Sequence, residues 1–227
     1  ARSGSYLYIA IDHFGLAIFD ISDPENPQGV PGPGTLGDGR GLAVSGSIVY
    51  VAVAYDGLVA VDISDPSNAQ VVGNSGQLEG GGGVVVSGTY AYVSDGNGGL
   101  KVADLSDPSN PHIVHNLAIP GQARELAIAD SYAYLGAGYS GLQVIDISNP
   151  LSLSIAGSEP IPGYAEDVKI SGQYAFVTDN QNGLLVMDIS VGDSPQTVGS
   201  LGAGGGLRGF DLAGNHAYAA DGGWGNS

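Results

Sequence analysis

Asp20-Ile21-Ser22 is the first of five equivalent tripeptides, and each follows the previous one by 42 residues. The other four are Asp62-Ile63-Ser64, Asp104-Leu105-Ser106, Asp146-Ile147-Ser148 and Asp188-Ile189-Ser190. A second landmark keeps the same interval, as Ser3-Gly4, Ser45-Gly46, Ser87-Gly88, Ala129-Asp130, Ser171-Gly172 and Ala213-Gly214. A constant period of this length is typical of proteins whose repeated unit buries its apolar face against its neighbours. The chain is therefore one unit repeated five times, with part of a sixth.

Each repeat reads as four short strands. In the unit from Gly39 to Gly80, the apolar runs are Gly41 to Val44, Ile48 to Ala54, Leu58 to Ile63 and Gln70 to Val72. Val, Ile and Tyr fill the runs, whereas the gaps hold Ser-Gly, Tyr-Asp-Gly and Ser-Asp-Pro-Ser-Asn, which are turn sequences. No gap has room for a helix of ten residues. Four strands per repeat predict the blade of a β-propeller.

Two apolar positions recur from repeat to repeat and predict contacts between neighbouring blades. The second strand carries an aromatic residue at Tyr8, Tyr50, Tyr92, Tyr134, Phe176 and Tyr218. The third strand opens with Leu16, Leu58, Leu100, Leu142 and Leu184. Because the runs are almost continuously apolar, we expect both faces of each sheet to be covered.

The predicted fold class is all-β, a β-propeller of four-stranded blades with a 42-residue repeat, five repeats and a partial sixth. A parallel β-helix would also give a constant period, but the tight Ser-Gly and Asp-Gly links favour antiparallel hairpins. Residues 1–227 are expected to form a single propeller domain or propeller segment whose ends fall within a blade. Six or more blades are favoured, and five blades with a displaced tail remain an alternative.

The consensus from Val86-Ser87-Gly88-Thr89-Tyr90-Ala91-Tyr92-Val93 through Gly99-Leu100-Lys101-Val102 to Ala103-Asp104-Leu105-Ser106-Asp107-Pro108 resembles the LVIVD repeat. The resemblance covers the entire chain. It implies a β-propeller of bacterial or archaeal surface or secreted proteins, and it supplies no catalytic residues. Asn149 and Val191-Gly192 depart from the Asp-Pro turn of the pattern, and we expect the turn to persist in altered form.

Composition limits the partners. With 23 acidic and 6 basic residues the net charge is −17, so nucleic acid and anionic membranes would be repelled. The chain has no run of about 18 apolar residues, so no membrane insertion is expected. It has no cysteine, which neither requires nor excludes an oxidising compartment. Following the family resemblance, we expect an extracellular or cell-surface location.

Uniform loops argue against an elaborate active site, because enzymes usually build such sites from unequal loops. We therefore predict a non-catalytic structural or protein-interaction module and no enzyme. Its partners would be other surface proteins, or further copies of the chain pairing through open strand edges. The aspartates of the repeated tripeptide are interpreted as turn residues, since a residue needed once for chemistry has no reason to recur in every blade.

Two other functions stay open. Charged residues at the entry to the first strands would line the channel mouth of a propeller and could bind a small ligand or glycan, or serve an enzyme. They are Arg40, Arg124, Glu125, Glu166, Asp167 and Arg208. An ordinary solvated rim of ion pairs is the competing interpretation.

Oxygen-rich loops between the second and third strands suggest a calcium-dependent adhesion module, so calcium is the one candidate cofactor. The candidate ligands are Asp95, Asn97, Asp179, Asn180 and Asn182. Asp and Asn are also what hairpin turns require. Trp224, between Gly223 and Gly225, is the candidate aromatic contact for a partner or a sugar.

Overall fold

A computed structural model describes residues 1–76, 78–202 and 206–221, apart from the side chains of Arg208 and Asp221. The chain divides into two compact units, Ala1–Asn116 and Leu117–Ser227. Strands dominate both units. The helical elements of the described residues amount to one 3₁₀ turn, Pro66–Asn68, and none of those residues lies in a helix long and apolar enough to cross a membrane.

The first unit contains three four-stranded sheets. Their strands are β1 (Arg2–Ser3), β2 (Tyr6–Ile11), β3 (Gly15–Asp20), β4 (Gln28–Val30), β5 (Gly39–Ser45), β6 (Ile48–Val53), β7 (Gly57–Asp62), β8 (Gln70–Asn74), β9 (Val84–Ser87), β10 (Tyr90–Ser94), β11 (Leu100–Asp104) and β12 (His112–Leu117). In each sheet the strands lie side by side in chain order, so one repeat forms one sheet.

The second unit contains two more four-stranded sheets and one two-stranded sheet. Their strands are β13 (Leu126–Ala129), β14 (Tyr132–Gly136), β15 (Leu142–Asp146), β16 (Ser154–Glu159), β17 (Ala165–Ser171), β18 (Tyr174–Asp179), β19 (Gly183–Asp188), β20 (Gln196–Leu201), β21 (Leu207–Ala213) and β22 (His216–Asp221). Strands β21 and β22 are the first two strands of the sixth repeat.

Antiparallel hairpins build every sheet, as the turn sequences predict. In the second repeat the observed strands overlap all four predicted runs, and their ends differ by at most two residues. Ser45 pairs with Ile48 across a two-residue loop whose first residue, Gly46, has a φ of 58°. A positive φ at this position is typical of the turns that match the twist of paired strands, and glycine adopts it without strain.

The sheets pack face to face through the recurrent apolar positions. One core cluster joins Tyr8 and Ile18 of the first sheet to Val49 and Val51 of the second. In the next cluster Tyr50 takes the position of Tyr8 and packs with Ala91 and Val93 of the third sheet. In the second unit Tyr134 likewise packs with Ala175 and Val177. The predicted contact between neighbouring repeats is confirmed at these junctions.

Candidate functional site

The aspartates of the repeated tripeptide serve the turns. In all five repeats a carboxylate oxygen of the aspartate accepts a hydrogen bond, 2.7 or 2.8 Å long, from the backbone N–H two residues later, on Ser22, Ser64, Ser106, Ser148 and Ser190. This N–H, together with the serine hydroxyl, holds the pKa of each aspartate below its usual range. The interpretation of these residues as turn residues is confirmed.

The departures from the Asp-Pro turn preserve it by two routes. Asn149 Oδ1 accepts a hydrogen bond from the N–H of Leu151 at 3.1 Å, as Asp107 does from Ser109 at 2.9 Å. At Val191 the side chain has no acceptor, but the N–H of Ser194 donates to the Val191 carbonyl at 2.9 Å. Asn110 makes the equivalent backbone bond to Asp107. The expected persistence of the turn is confirmed.

Asp95, the first candidate calcium ligand, is buried and holds a neighbouring segment in place. Its two carboxylate oxygens accept the backbone N–H groups of Glu79, Gly80 and Gly81 at 2.8 to 2.9 Å and face the Lys101 ammonium at 2.7 Å. Burial alone would raise the pKa of Asp95, but these donors together hold it below its ordinary value. Asn97 lies in the following turn with its side chain exposed.

Asp179 occupies the same position two repeats later and has the same kind of surroundings. It accepts the N–H groups of Gly163, Tyr164 and Gln181 and the side-chain amide of Asn182, at 2.8 to 3.2 Å. Asn180 Oδ1 is buried without a hydrogen-bond partner. A cation at Asp95 or Asp179 would have to replace these donors, and residues 1–76, 78–202 and 206–221 hold no cluster of three His, Cys, Asp or Glu arranged for a metal. Calcium binding stays a prediction.

The charged residues at the entry to the first strands fall into separate groups. In the first unit Arg40 contacts Asp12 at 3.1 Å and Asp38 at 3.9 Å, and its side chain is almost half exposed. Arg40 therefore forms the surface ion pairs expected of a solvated rim. Such pairs contribute about 0–1 kcal/mol to the free energy of unfolding. Strand β21 contains Arg208, whose side chain lies outside the described part, as does the whole of Trp224.

Arg124 belongs to an aromatic cluster in the second unit. Its Nε donates a hydrogen bond to the Tyr164 hydroxyl at 2.7 Å, and its Nη2 also donates to this hydroxyl and to Gln122 Oε1. The Tyr164 hydroxyl donates to Gln122 Oε1 at 2.7 Å. The exposed ring of Tyr139 packs edge-on against Tyr164, with 4.8 Å between ring centres. Arg124 is therefore held in one orientation beside an aromatic surface.

A second cluster joins Glu125, Glu166, Asp167 and Lys169, and we refer to it as the first-strand cluster. Asp167 is buried; its Oδ2 accepts the backbone N–H of Phe210 at 3.1 Å, and its Oδ1 lies 3.2 Å from Lys169 Nζ. Burial, and then the charge of Asp167, raises the pKa of Glu125 to about 7, with Lys169 opposing the shift and Glu166 adding to it. This cluster is the chemically most distinctive group among the predicted residues.

Sequence reasoning missed Tyr164 and Lys169, although each is unique at its repeat position. Lys169 aligns with Ala43, Val85, Ala127 and Asp211. Tyr164 aligns with Asp38, Gly80, Gln122 and Gly206. A search for residues that differ from the repeat consensus, in place of residues that share a position, would have found both.

The fold and the repeated turns define an all-β repeat protein of the β-propeller type, with five four-stranded blades and part of a sixth. The LVIVD repeat family model matches residues 1–30, 36–75, 81–118, 120–159 and 162–201, and the chain belongs to this family. The suspected family is thus confirmed. No curated protein matches the sequence.

Solved structures share the fold at low sequence identity. A protein from Bacteroides uniformis ATCC 8492 described as a "putative 6-phosphogluconolactonase" has a TM-score of 0.77 and 16% identity, over 95% of this chain and 74% of that one. The computationally designed Ika8 protein has a TM-score of 0.75 and 15% identity, over 97% of this chain and 66% of that one. A functionally unknown protein from Desulfotomaculum acetoxidans DSM 771 has a TM-score of 0.74 and 10% identity, over 88% of this chain and 67% of that one. At these identities the likeness concerns the fold alone.

Proposed function

We propose that this protein is a non-catalytic structural module, working outside the cell or at its surface, that associates with further copies of itself through the faces of its sheets. The supporting observation is the exposure of one aromatic residue. Tyr218 on β22 is 63% exposed, whereas Tyr8, Tyr50 and Tyr134 at the same repeat position are at most 3% exposed. A large apolar side chain that the fold buries elsewhere is a candidate for burial by a partner.

The junctions between sheets inside each unit indicate which surface Tyr218 would contact. There, the tyrosine of one sheet packs against two apolar residues on the second strand of the next sheet, such as Val49 and Val51. In the first sheet the residue equivalent to Val51 is Ile9, which is 38% exposed, whereas Val51, Val93 and Val177 are fully buried. The chain thus presents both halves of one junction, Ile9 with Leu7 on β2 and Tyr218 on β22.

A second copy of the chain is the occupant that fits. If β2 of one copy lies on β22 of another, Ile9 meets Tyr218 as Val51 meets Tyr8 within the first unit. The two surfaces differ, so the contact is head-to-tail and each copy can bind one neighbour at each face. Complete burial of one large side chain contributes about 1.5–3 kcal/mol, so the loss of Tyr218 is expected to weaken the contact roughly 10- to 100-fold.

Light scattering across a range of protein concentrations tests the proposal. We expect the molar mass of the wild-type chain to rise with concentration and that of Tyr218→Ser to stay closer to one chain. Tyr55→Ser is the matched control, because Tyr55 is 74% exposed but lies in a turn outside the repeated junction. A wild-type mass equal to one chain throughout, or equal behaviour of the two variants, would contradict the proposal.

A small-ligand or catalytic role is a second candidate, and the first-strand cluster favours it. A carboxyl with a pKa of about 7 beside a buried aspartate and a lysine is the kind of arrangement that acid–base chemistry uses. Arg124, fixed by Tyr164, adds an anion-binding group in the same unit. Turnover of an ester or glycan that Arg124→Ala and Glu125→Gln both abolish would favour this role; a panel without turnover would remove it.

A further inference from the structure

A cavity of about 270 Å³ lies in the second unit, on the side of the sheets where the tight hairpin turns are. The β13–β14 and β17–β18 turns and the segment after β19 surround it. The residues that characterise it are Asp130, Tyr132, Tyr134, Gln173, Ile189 and Gly192. The cavity is separate from the predicted first-strand and calcium residues and from the proposed association faces.

Two of its residues are exceptions to the repeat. Asp130 stands where the other repeats have Gly4, Gly46, Gly88, Gly172 and Gly214. Gly192 stands where the equivalent turn of the other four repeats has Pro24, Pro66, Pro108 and Pro150. These two changes lie in different repeats, yet both line one cavity.

Asp130 keeps the glycine backbone geometry at some cost. Its φ is 51°, close to the 57° to 60° of the five glycines, and this region is unfavourable for residues with a side chain. A glycine would satisfy the turn better, so the turn does not require the carboxylate. The side chain of Asp130 is exposed at the edge of the cavity.

Gly192 makes room for an aromatic ring. A Cβ at this position would lie 2.4 and 2.5 Å from two ring carbons of Tyr132, so a larger residue would displace the ring. The Tyr134 hydroxyl donates a hydrogen bond to the Gly192 carbonyl at 2.8 Å. Two tyrosines thus line the cavity, and one of them is held to the turn that carries the exception.

The cavity has a negative electrostatic environment. Burial raises the pKa of Tyr134 to about 12, and the nearby Tyr132, Asp130 and Asp193 contribute to that increase. The hydroxyl therefore stays protonated at neutral pH. None of the residues that line the cavity is basic, and the chain as a whole carries a net charge of −17.

We propose that this cavity binds an organic cation, an alkylammonium or guanidinium group whose charge faces Asp130 and whose alkyl stem packs on Tyr132. A carboxylate attracts the charge by ion pairing, and an aromatic ring packs against the alkyl stem and attracts a cationic group within about 6 Å through its quadrupole. The cation could be a free amine or a basic side chain of a peptide, and the two sources share this chemistry.

NMR titration of the isotope-labelled chain, recording backbone amide spectra, tests the proposal. The probes are N-acetyl-lysine methylamide, N-acetyl-arginine methylamide and putrescine, with N-acetyl-glutamine methylamide as the neutral control. We expect a cationic probe to shift the amides around Tyr132, Gln173 and Gly192 and the neutral probe to shift them much less. A preference between the peptide-like probes and putrescine identifies the source.

Asp130→Gly is the decisive variant, because it restores the residue that the other five repeats have and is expected to fold. We expect it to weaken cation binding about two- to fivefold. Gly192→Ala, which displaces Tyr132, is expected to weaken binding as well. Gly88→Asp places the same carboxylate on the equivalent turn of another repeat and is expected to leave binding unchanged. Equal shifts with the neutral probe, or unchanged affinity in Asp130→Gly, would overturn the proposal.

Discussion

The carboxylate of Asp167 accepts a hydrogen bond from the backbone N–H of Phe210 at 3.1 Å, so a side chain of the fifth repeat holds the first strand of the sixth. Asp167 is also the partner of Lys169 and is almost fully buried. Removing the carboxylate leaves the Phe210 N–H without its acceptor and Lys169 without its ion-pair partner.

We therefore expect Asp167→Ala to lower the free energy of unfolding by about 1–3 kcal/mol, because the buried N–H of Phe210 is left unpaired. Urea denaturation measures the loss, and hydrogen exchange at the Phe210 amide should accelerate with it. Asp56→Ala is the control, since Asp56 is exposed and should change stability by less than about 0.5 kcal/mol. Similar losses in the two variants would contradict the assigned role of Asp167.

Glu125 gives stability a dependence on pH. Its folded-state pKa of about 7 lies above the ordinary value of 4.5, so the folded protein retains a proton that the unfolded chain has lost. Stability therefore falls as pH rises from about 4.5 to about 7, by up to roughly 3 kcal/mol, and is level above that range.

Glu125→Gln removes this dependence. We expect the variant to match the wild-type chain near pH 4.5 and to be more stable near pH 8, in urea denaturation at both values. A difference between the two proteins that does not change with pH would show that the pKa of Glu125 is not raised.

The turn aspartates are expected to tolerate asparagine and not alanine. Asp62→Asn keeps the oxygen that accepts the Ser64 N–H, whereas Asp62→Ala loses it. The melting temperature of the alanine variant should be lower and that of the asparagine variant close to wild type. Asn149 already shows that an asparagine oxygen can accept such a hydrogen bond, from the N–H of Leu151 in the turn after the tripeptide of the fourth repeat. Equal melting temperatures for the two variants would show that the hydrogen bond is unimportant.

Calcium is expected to have little effect on stability. The oxygens of Asp95 and Asp179 already accept N–H groups, so a cation would gain few ligands there. The melting temperature should be the same with a chelator and with about 1 mM calcium. An increase with calcium that Asp179→Asn abolishes would restore the calcium-dependent adhesion module as the better account.

The repeat made the fold predictable from the sequence. The interval between tripeptides set the length of one unit, and the turn sequences divided it into four strands. The local hydrogen bonds of Asp62 and Asn149 were also predictable, because donor and acceptor are two residues apart.

The long-range contacts were not predictable in the same way. Asp95 binds N–H groups 14 to 16 residues before it, and Arg124 binds a tyrosine 40 residues after it. Both contacts depend on residues that occur in some repeats only. Val53 and Ala137 take the position of Asp95, and Gly82 and Glu166 take that of Arg124. A periodic pattern describes what the repeats share and contains no information on such contacts.

A head-to-tail contact can be tested more strictly than by the concentration dependence of the molar mass, because its two faces can be removed separately. Ile9→Ser keeps the Tyr218 face, and Tyr218→Ser keeps the Ile9 face, so neither variant can complete the junction with its own copies. Mixed together, they supply one intact junction per pair.

Sedimentation equilibrium of the two variants, separately and as an equal mixture, is therefore the most direct measurement. We expect single chains for each variant alone and a complex of two chains, with no larger species, for the mixture. Self-association of Ile9→Ser alone would indicate a symmetric contact between Tyr218 faces, and a mixture that stays at the mass of one chain would contradict the head-to-tail contact.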